Sequence, residues 1–197
     1  MTAGTSELRR IVADIRACRI CAADIEPRPI LRASATAKLC LVGQAPGSRV
    51  HLSGVPWTDP SGDRLRDWLG LDRDTFYDER LIAIVPMGFC FPGLDAKGGD
   101  RPPRRECARI WREALFAALP EFKLTILIGG YAQKWHLGAR NGESLTQTVK
   151  AWRNYAPRYI PLPHPSWRNN AWLKKNPWFD RDLLPYLRGR VRRSLYS

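Results

Sequence analysis

Four short runs of apolar and β-branched residues recur along the chain, and Gly or Pro bounds each of them. The runs are LCLVG (39–43), LIAIVPM (81–87), TILIGG (125–130) and RYIPLPH (158–164). Each run is too short to form a buried helix, and its composition is typical of a buried strand. The pattern therefore predicts four β-strands.

Apolar residues with helical spacing lie between these runs. One helical pattern is SGDRLRDWLG, for which Ser61 is the expected N-cap, and the others cover 103–119, 144–152 and 177–188. Strands that alternate with helices favour a mostly parallel sheet covered on both faces. The predicted fold is a single domain over residues 1–197, a three-layer α/β/α sandwich with a short, mainly parallel four-stranded central sheet.

The segments that follow the predicted strands are rich in Gly, Pro and polar residues. They are GQAPG (43–47), MGFCFPG (87–93), GGYAQ (129–133) and HPSWRNN (164–170). Ligands of parallel α/β sheets bind beyond the carboxyl ends of the strands, so we expect these segments to converge on one cleft. In the last segment His164 lies between two prolines, which restrict the backbone on both sides of it.

Charge points to a polyanionic partner. The chain has 32 Lys and Arg against 19 Asp and Glu, a formal net charge of +13. Such a charge attracts polyanions, with DNA and RNA as the usual partners, and a basic surface without a fixed partner is the structural alternative. Trp57, Trp167, Trp172 and Trp178 lie among Arg, Lys, Pro and Asn rather than in apolar stripes, which suits stacking on exposed bases.

Length and hydropathy limit the class of protein. The chain has 197 residues, of which 44% are hydrophobic, enough for one compact domain with a core. Its first residues lack an apolar signal core, and no apolar run is long enough to span a membrane. We expect a soluble, cytoplasmic, monomeric protein.

Four of the five cysteines form a pattern typical of a metal site. Cys18 and Cys21 make a C-x-x-C pair, and Cys90 and Cys107 follow at a distance. Disulfides are not expected in a cytosolic chain, whereas four thiolates can bind Zn²⁺ or an iron–sulfur cluster. A redox-active pair is disfavoured because this pair does not follow a strand. Cys40 lies inside the first apolar run and is expected to be a small buried residue.

Together these segments resemble the uracil-DNA glycosylase superfamily, most closely its iron–sulfur-containing family 4 branch, over most of the chain. GQAPG is similar to the first superfamily motif, a Gly-x-x-Pro-Gly turn, and HPSWRNN is similar to the second. SGVPWTDPSGDRL (53–65) resembles the segment whose aromatic residue, here Trp57, stacks on the extruded uracil. The resemblance implies that the four patterned cysteines hold a structural iron–sulfur cluster, [4Fe-4S], with zinc as the alternative.

The resemblance also implies roles for individual residues. His164 would stabilise the negative charge that develops on O2 of the departing uracil, as an oxyanion hole does. Flipping the base out costs unstacking energy, which a side-chain wedge and phosphate contacts offset. The residues expected at the base are Gly43, Ala45, Pro46, Gly47, Trp57, Met87, Gly88, Phe89, Ser166 and Asn169. Those expected at the DNA are Trp167, Arg168, Asn170, Lys174 and Lys175, with Arg153 and the tail RGRVRRS (188–194) as further phosphate contacts.

The chain departs from the superfamily in the residue that handles water. Some members carry an acidic residue in the first motif, where this chain has Gln44 and Ala45. We expect Asp59 to replace it as a catalytic residue, because Asp59 lies in the loop beside Trp57. Asp63 is instead expected in the first turn of a helix, where a carboxylate is structurally ordinary. Gln44 is a further catalytic candidate that could hold water or contact the base.

A second departure concerns base recognition. Several branches read the uracil edge with an Asn at the end of the second strand, where this chain has IVPMGF (84–89). Backbone groups of Met87, Gly88 and Phe89, or the side chains of Asn169 and Asn170, are expected to take over that role.

The expected function is hydrolysis of the N-glycosidic bond of deoxyuridine in single- or double-stranded DNA, a monofunctional reaction that leaves an abasic site. The alternatives are a glycosylase for xanthine, hypoxanthine or 5-hydroxymethyluracil, a non-catalytic single-stranded nucleic-acid-binding protein, and a zinc-stabilised structural protein. The key residues also have structural alternatives: a loop role for His164, core filling for Trp57, and a backbone-bonded turn for Asp59. His51 and His136 are expected to be surface or packing residues, with a position facing the cleft as the alternative for His51, and Trp111 and Trp152 are expected in the core.

Overall fold

The centre of the structure is a four-stranded sheet in which all neighbouring strands are parallel. The computed structural model describes residues 3–138 and 144–196. The strands are β1 (Leu39–Val42), β2 (Ile82–Ile84), β3 (Leu124–Ile128) and β4 (Tyr159–Leu162), in the spatial order β2-β1-β3-β4. Each strand overlaps the apolar run that predicted it, so the predicted parallel sheet is confirmed.

Helices connect the strands. In chain order they are α1 (Ala3–Ala17), α2 (Ser48–Ser53), α3 (Pro60–Leu69), α4 (Arg73–Tyr77), α5 (Arg105–Cys107), α6 (Glu113–Ala118), α7 (Gly130–Leu137), α8 (Leu145–Lys150), α9 (Asn170–Lys175) and α10 (Leu184–Tyr196). One π-helical turn, Ala108–Arg112, joins α5 to α6, and another, Phe179–Leu183, leads into α10. No helix of the described ranges is long and apolar enough to cross a membrane.

The helices form a layer on each face of the sheet, because alternate strand residues point to opposite faces. Leu39 and Leu41 of β1 pack with α3, α8 and α10 in one apolar cluster. Cys40 and Val42 pack with α1, α6 and α7 in the other. The predicted three-layer α/β/α arrangement is therefore confirmed, and Cys40 is buried as expected.

The helix ends differ from the prediction in two places. The N-cap of α3 is Asp59 rather than Ser61: an Asp59 carboxylate oxygen accepts a hydrogen bond from the Gly62 N–H at 3.1 Å. The last helix continues past Arg188 to Tyr196, because buried residues at Val191 and Leu195 extend its apolar stripe. Among the helices of residues 3–138 and 144–196, five went unpredicted, namely α1, α2, α4, α7 and α9.

The sheet order places one strand end at a branch point. The strands that follow β1 in the chain lie on opposite sides of it, β2 on one side and β3 on the other. In such sheets a crevice forms beyond the carboxyl end of the strand at which the order reverses. The GQAPG turn follows β1 directly and therefore lies at this crevice.

Candidate active site

A pocket occupies the crevice beyond β1. This inner pocket, of about 70 Å³, has room for more than a single water molecule. Its lining comprises the GQAPG turn with Ile30, Val50, Pro56, Trp57, Asp59, Ile84, Pro86, Asp100 and His164. A wider outer groove of about 610 Å³ shares Gln44, Ala45, Gly47, Asp59, Asp100 and His164 with it, and is also lined by Ser48, Arg49, Pro60, Ser61, Arg64 and residues 165–169.

The loop after β4 fixes both the position and the tautomer of His164. The Ser166 N–H donates a hydrogen bond to Nδ1 of His164 at 3.2 Å, so the neutral imidazole carries its proton on Nε2. The Asn169 side-chain amide donates to the His164 carbonyl at 2.7 Å and closes the loop. Burial lowers the pKa of His164, and the nearby Asp59 charge opposes that shift. The site therefore holds a neutral imidazole with one N–H to donate.

Trp57 reaches the pocket on a backbone that most residues avoid. Its φ is +57°, a left-handed conformation rare for a bulky side chain. The Trp57 carbonyl accepts hydrogen bonds from the Arg66 guanidinium and the Tyr77 hydroxyl, both at 3.1 Å, which hold this conformation. The Trp57 ring centroid lies 5.6 Å from that of His164, with the planes tilted by 33°. An aromatic face and an imidazole donor thus border the same pocket.

Two carboxylates complete the pocket wall. Asp59 caps α3 and lies near enough to His164 to affect its pKa. Asp100 went unpredicted: it lies after the loop that follows β2, where an isolated antiparallel bridge pairs it with Leu94. The acidic, glycine-rich turn DAKGGD (95–100) after the second strand is the sequence signal that could have found it. Asp63 lies in the first turn of α3, as expected, and pairs with Arg66.

The sequence profile of the Uracil DNA glycosylase superfamily matches residues 32–188, most of the chain and all of the pocket lining described above except Ile30. The chain belongs to this superfamily. A uracil-DNA glycosylase-like function and a DNA substrate follow at the superfamily level. The matched span begins after Cys21, so the C-x-x-C pair lies outside it.

In this glycosylase-superfamily member, the backbone N–H groups of the residues expected to read the base are engaged elsewhere. The N–H groups of Met87 and Gly88 donate to the carbonyls of Gly43 and Gln44, both at 2.9 Å. The Phe89 N–H is directed at the Cys107 thiol. Recognition by these three N–H groups therefore does not fit the structure, and Ile84 and Pro86 form that side of the pocket instead.

The two asparagines offered as alternatives also have structural partners. Asn169 uses its amide nitrogen on the His164 carbonyl, and it lines the outer groove rather than the inner pocket. The Asn170 side-chain oxygen accepts a hydrogen bond from Arg64 at 2.8 Å. Arg64 also donates to the Ser166 carbonyl at 3.2 Å, so it fastens α3 to the His164 loop.

The outer groove carries the features expected of a DNA-binding surface. Arg49, Arg64 and Arg168 line it, and Trp167 lies at its wall with 72% of its surface exposed. Lys174 and Lys175 are exposed in the last turn of α9, outside the groove lining.

The basic tail lies at the amino ends of the strands, opposite to the pocket. Lys38, just before β1, donates to the Leu195 carbonyl at 2.7 Å, and Arg190 contacts the carbonyls of Lys123 and Pro157. These partners precede strands, whereas the pocket follows them. The tail therefore lies away from the groove, and any phosphate contacts that it makes are outside the cleft.

Two of the four segments expected at the cleft do not line it. MGFCFPG contributes no residue to the inner pocket or the outer groove. GGYAQ is absent from both the inner pocket and the outer groove. Its Gln133 is buried, and the Gln133 side-chain amide donates to the Leu162 carbonyl at 2.8 Å. The segment thus joins the ends of β3 and β4 and supports the strand from which His164 extends.

The patterned cysteines lie near one another, away from the pocket. Cys18, Cys21, Cys90 and Cys107 are free and partly buried. The pKa of Cys90 is raised to about 11, chiefly by burial; the Arg28 N–H opposes the rise, and the other three thiols add to it. Within residues 3–138 and 144–196, no set of three or more His, Cys, Asp or Glu side chains meets the geometry for holding a metal ion.

Proposed function

We propose that this protein removes uracil from DNA by hydrolysing the bond between N1 of the base and C1′ of deoxyribose, leaving an abasic site. The observation that carries the proposal is the neutral His164, whose Nε2–H is fixed by the Ser166 hydrogen bond at the pocket of a Uracil DNA glycosylase superfamily member. Breaking the bond places negative charge on O2 of the leaving uracil. A pre-positioned neutral donor stabilises that charge without reorganising during the reaction.

The other pocket residues have complementary roles in this proposal. Trp57 offers an aromatic face on which a flipped-out base can stack. The Asp59 carboxylate provides negative charge while positive charge develops on the sugar. In the outer groove Arg49 and Arg168 would contact phosphates, and the exposed Trp167 would fill the gap that the flipped base leaves.

A second candidate is a glycosylase for another deaminated or oxidised base. The observation that favours it is the apolar wall formed by Ile84 and Pro86, where several branches of the superfamily place a uracil-reading Asn. With the Met87 and Gly88 N–H groups engaged, the polar side chain left to read a base edge from the first motif is Gln44. An amide can present either its donor or its acceptor, so xanthine and hypoxanthine are the competing substrates.

Excision assays on DNA with single lesions test the proposal. The protein is incubated with single- and double-stranded oligonucleotides that carry uracil, xanthine, hypoxanthine or 5-hydroxymethyluracil, and strand breaks are scored after alkali. We expect uracil to be released, and His164→Ala to lower the single-turnover rate by about 10²–10³-fold, the usual effect of removing one oxyanion donor.

The matched control is His51→Gln, because His51 pairs with Glu26 and contacts Phe91 outside both pocket and groove. This variant should excise uracil at the wild-type rate. A His164→Ala protein as active as the wild type would disprove the assigned role. If no lesion is released while DNA is still bound, the protein is a non-catalytic binder instead.

We also propose that Cys18, Cys21, Cys90 and Cys107 hold a structural [4Fe-4S] cluster. Support comes from the chemistry of the donors: four thiols, of which Cys18, Cys21 and Cys107 lie near enough to Cys90 to raise its pKa. The backbone N–H groups of Arg28 and Phe89 are directed at Cys90 and Cys107, as N–H groups commonly are at cluster sulfurs. When bound, the group would cross-link the segment after α1 to the β2–α5 loop and take no part in base release. Iron and acid-labile sulfide in the purified protein would support it, whereas zinc without iron would contradict it.

A further inference from the structure

The pocket needs a group that accepts the proton of the attacking water, and the first motif does not supply one. At the positions where some superfamily members carry an acidic residue, this chain has Gln44 and Ala45, and neither is a base. Two carboxylates border both the inner pocket and the outer groove, those of Asp59 and Asp100. The two carboxylates differ in the hydrogen bonds that they accept from other protein groups.

Asp100 is held at the pocket by a small hairpin. Its backbone pairs with Leu94, and the hairpin is closed by hydrogen bonds from the Asp95 N–H to the Gly99 carbonyl at 2.7 Å and from the Arg101 N–H to the Gly93 carbonyl at 2.9 Å. The Asp100 carboxylate faces the first motif, since a Cβ built on Gly47 would lie 3.3 Å from its Oδ2. A side chain on Gly47 would therefore crowd the place where this carboxylate meets the pocket.

The neighbouring carboxylates already accept hydrogen bonds from the backbone or pair with an arginine. An Asp59 oxygen caps α3 through the Gly62 N–H, and Asp63 pairs with Arg66. Asp95 accepts the N–H groups of Lys97 and Gly99 at 2.8 and 2.9 Å and so holds the hairpin turn. In the part of the chain that the structure describes, no protein group donates a hydrogen bond to the Asp100 carboxylate, so it is available to a water molecule.

We propose that Asp100, rather than Asp59, is the catalytic residue that holds the attacking water, an assignment that rests on the proposed glycosylase function. The water oxygen bonds to C1′ as the C1′–N1 bond breaks, and the electron pair of that bond leaves on the uracil anion. One water proton passes to the Asp100 carboxylate. The uracil anion, stabilised at O2 by His164, takes up a proton after release, and Asp100 returns its own to solvent.

The surroundings of Asp100 suit a base. Partial burial raises the pKa of its carboxyl, Arg168 opposes that rise, and the charges of Asp59 and Asp95 add to it. A carboxylate with a raised pKa accepts a proton more readily than an ordinary one. Arg168 lies on the His164 loop and lines the same groove, so a positive charge is near this carboxylate.

The test compares Asp100→Asn with Asp95→Asn in the full-length protein. Both changes keep the shape of the side chain and remove one negative charge near Arg168, but only the first removes the proposed base. In single-turnover excision of uracil we expect Asp100→Asn to lose about 10²–10³-fold, the range of general-base catalysis, and Asp95→Asn to stay within about threefold of the wild type. Binding of both variants to uracil-containing DNA should match or exceed that of the wild type.

A further arm separates a base from a structural role. In Asp100→Ala, added formate should restore part of the lost rate, because a small carboxylate can occupy the vacated space and accept the proton. The inference is overturned if Asp100→Asn keeps the wild-type rate, if Asp95→Asn is equally impaired, or if the Asp100 loss is entirely a loss of DNA binding. A wild-type protein that releases no base would instead refute the proposed function itself.

Discussion

Single residues set the shape of the pocket. Two of them, Gly43 and Gly62, must be glycine because a side chain at either position would collide with Trp57. A Cβ on Gly62 would lie 1.8 Å from the Trp57 carbonyl oxygen, and a Cβ on Gly43 would lie 2.9 Å from the Trp57 ring. Gly62 is buried in the first turn of α3, so the helix start and the strained Trp57 backbone are packed directly together. The position of the Trp57 ring depends on this contact.

Gly62→Ala should therefore destabilise the protein, although Gly→Ala inside a helix usually stabilises it. We expect the free energy of unfolding to fall by about 1–3 kcal/mol, because the clash is with backbone and the chain must shift to relieve it. Uracil excision should fall with it as Trp57 is displaced. Urea unfolding and single-turnover kinetics measure the two effects.

Gly189→Ala is the matched control in α10. Its new Cβ would meet nothing closer than the flexible Arg193 guanidinium at 3.5 Å, so the ordinary helix preference should raise stability by about 0.5–1 kcal/mol. Equal effects of the two substitutions would show that the Trp57 contact does not hold the site.

At the scale of elements, a buried arginine joins the helices on one face of the sheet to the pocket wall. Arg112, in the π-helical turn before α6, is fully buried and donates to the Pro86 carbonyl at 2.9 Å. It also donates to Nε2 of His136 on α7 at 3.0 Å and lies over the rings of Phe116 and Trp135. Pro86 follows β2 in the chain and lines the inner pocket. The Arg112 cluster therefore fixes the segment after β2 at the pocket wall.

The same cluster makes stability depend on pH. Burial, with Arg112 adding to it, lowers the pKa of His136 to about 3, whereas an unfolded histidine has its ordinary value near 6.5. Between these values the unfolded chain binds a proton that the folded protein excludes, so stability falls as pH drops below about 6.5. We expect His136 to contribute a loss of about 1 kcal/mol between pH 7.5 and pH 5.5.

Urea unfolding of the wild type and of His136→Gln at both pH values measures this contribution. The glutamine oxygen can still accept from Arg112 but does not titrate, so the variant should lose less stability on acidification. His164, whose pKa is also lowered by burial, will leave a residual slope of the same sign. An unchanged pH dependence in the variant would contradict the linkage.

For the molecule as a whole, part of the positive charge behind the net charge of +13 lies at the two opposite ends of the strands. Arg49, Arg64 and Arg168 lie at the groove beyond the carboxyl ends of the strands. Arg190 lies at the amino edge, where it contacts the carbonyls of Lys123 and Pro157. Charge at the far edge can raise the long-range attraction of DNA, but only groove residues can make direct phosphate contacts at the cleft.

The salt dependence of DNA binding should distinguish the arginines of the groove from those of α10. Arg49→Gln should reduce the slope of log K against log salt by about 0.9, the value of one lost phosphate contact. Arg192→Gln, an exposed change on α10, removes the same charge and should leave the slope nearly unchanged. Fluorescence anisotropy over a salt series gives both slopes, and equal changes would mean that DNA also contacts the α10 edge.

The local pattern of the sequence determined the strands, their parallel arrangement and the segments that follow them. Apolar, β-branched runs have few alternatives to a buried strand, and the pinned His164 and the GQAPG turn are adjacent to strand ends. The role expected of Trp57 came from the resemblance to the superfamily. These features depend on neighbours in the chain, which is why they could be predicted.

Only the tertiary structure decided which polar groups are free. From the sequence, Met87, Gly88 and Asn169 are all candidates for contacting a base. In the structure, the Met87 and Gly88 N–H groups donate to carbonyls of the first motif. The Asn169 side-chain amide donates to the His164 carbonyl. Asp100 has no sequence signal beyond an acidic turn, yet the hairpin brings its carboxylate against Gly47. Hydrogen bonds and charges act through space, so the sequence determined where the strands end and the fold determined which side chains meet there.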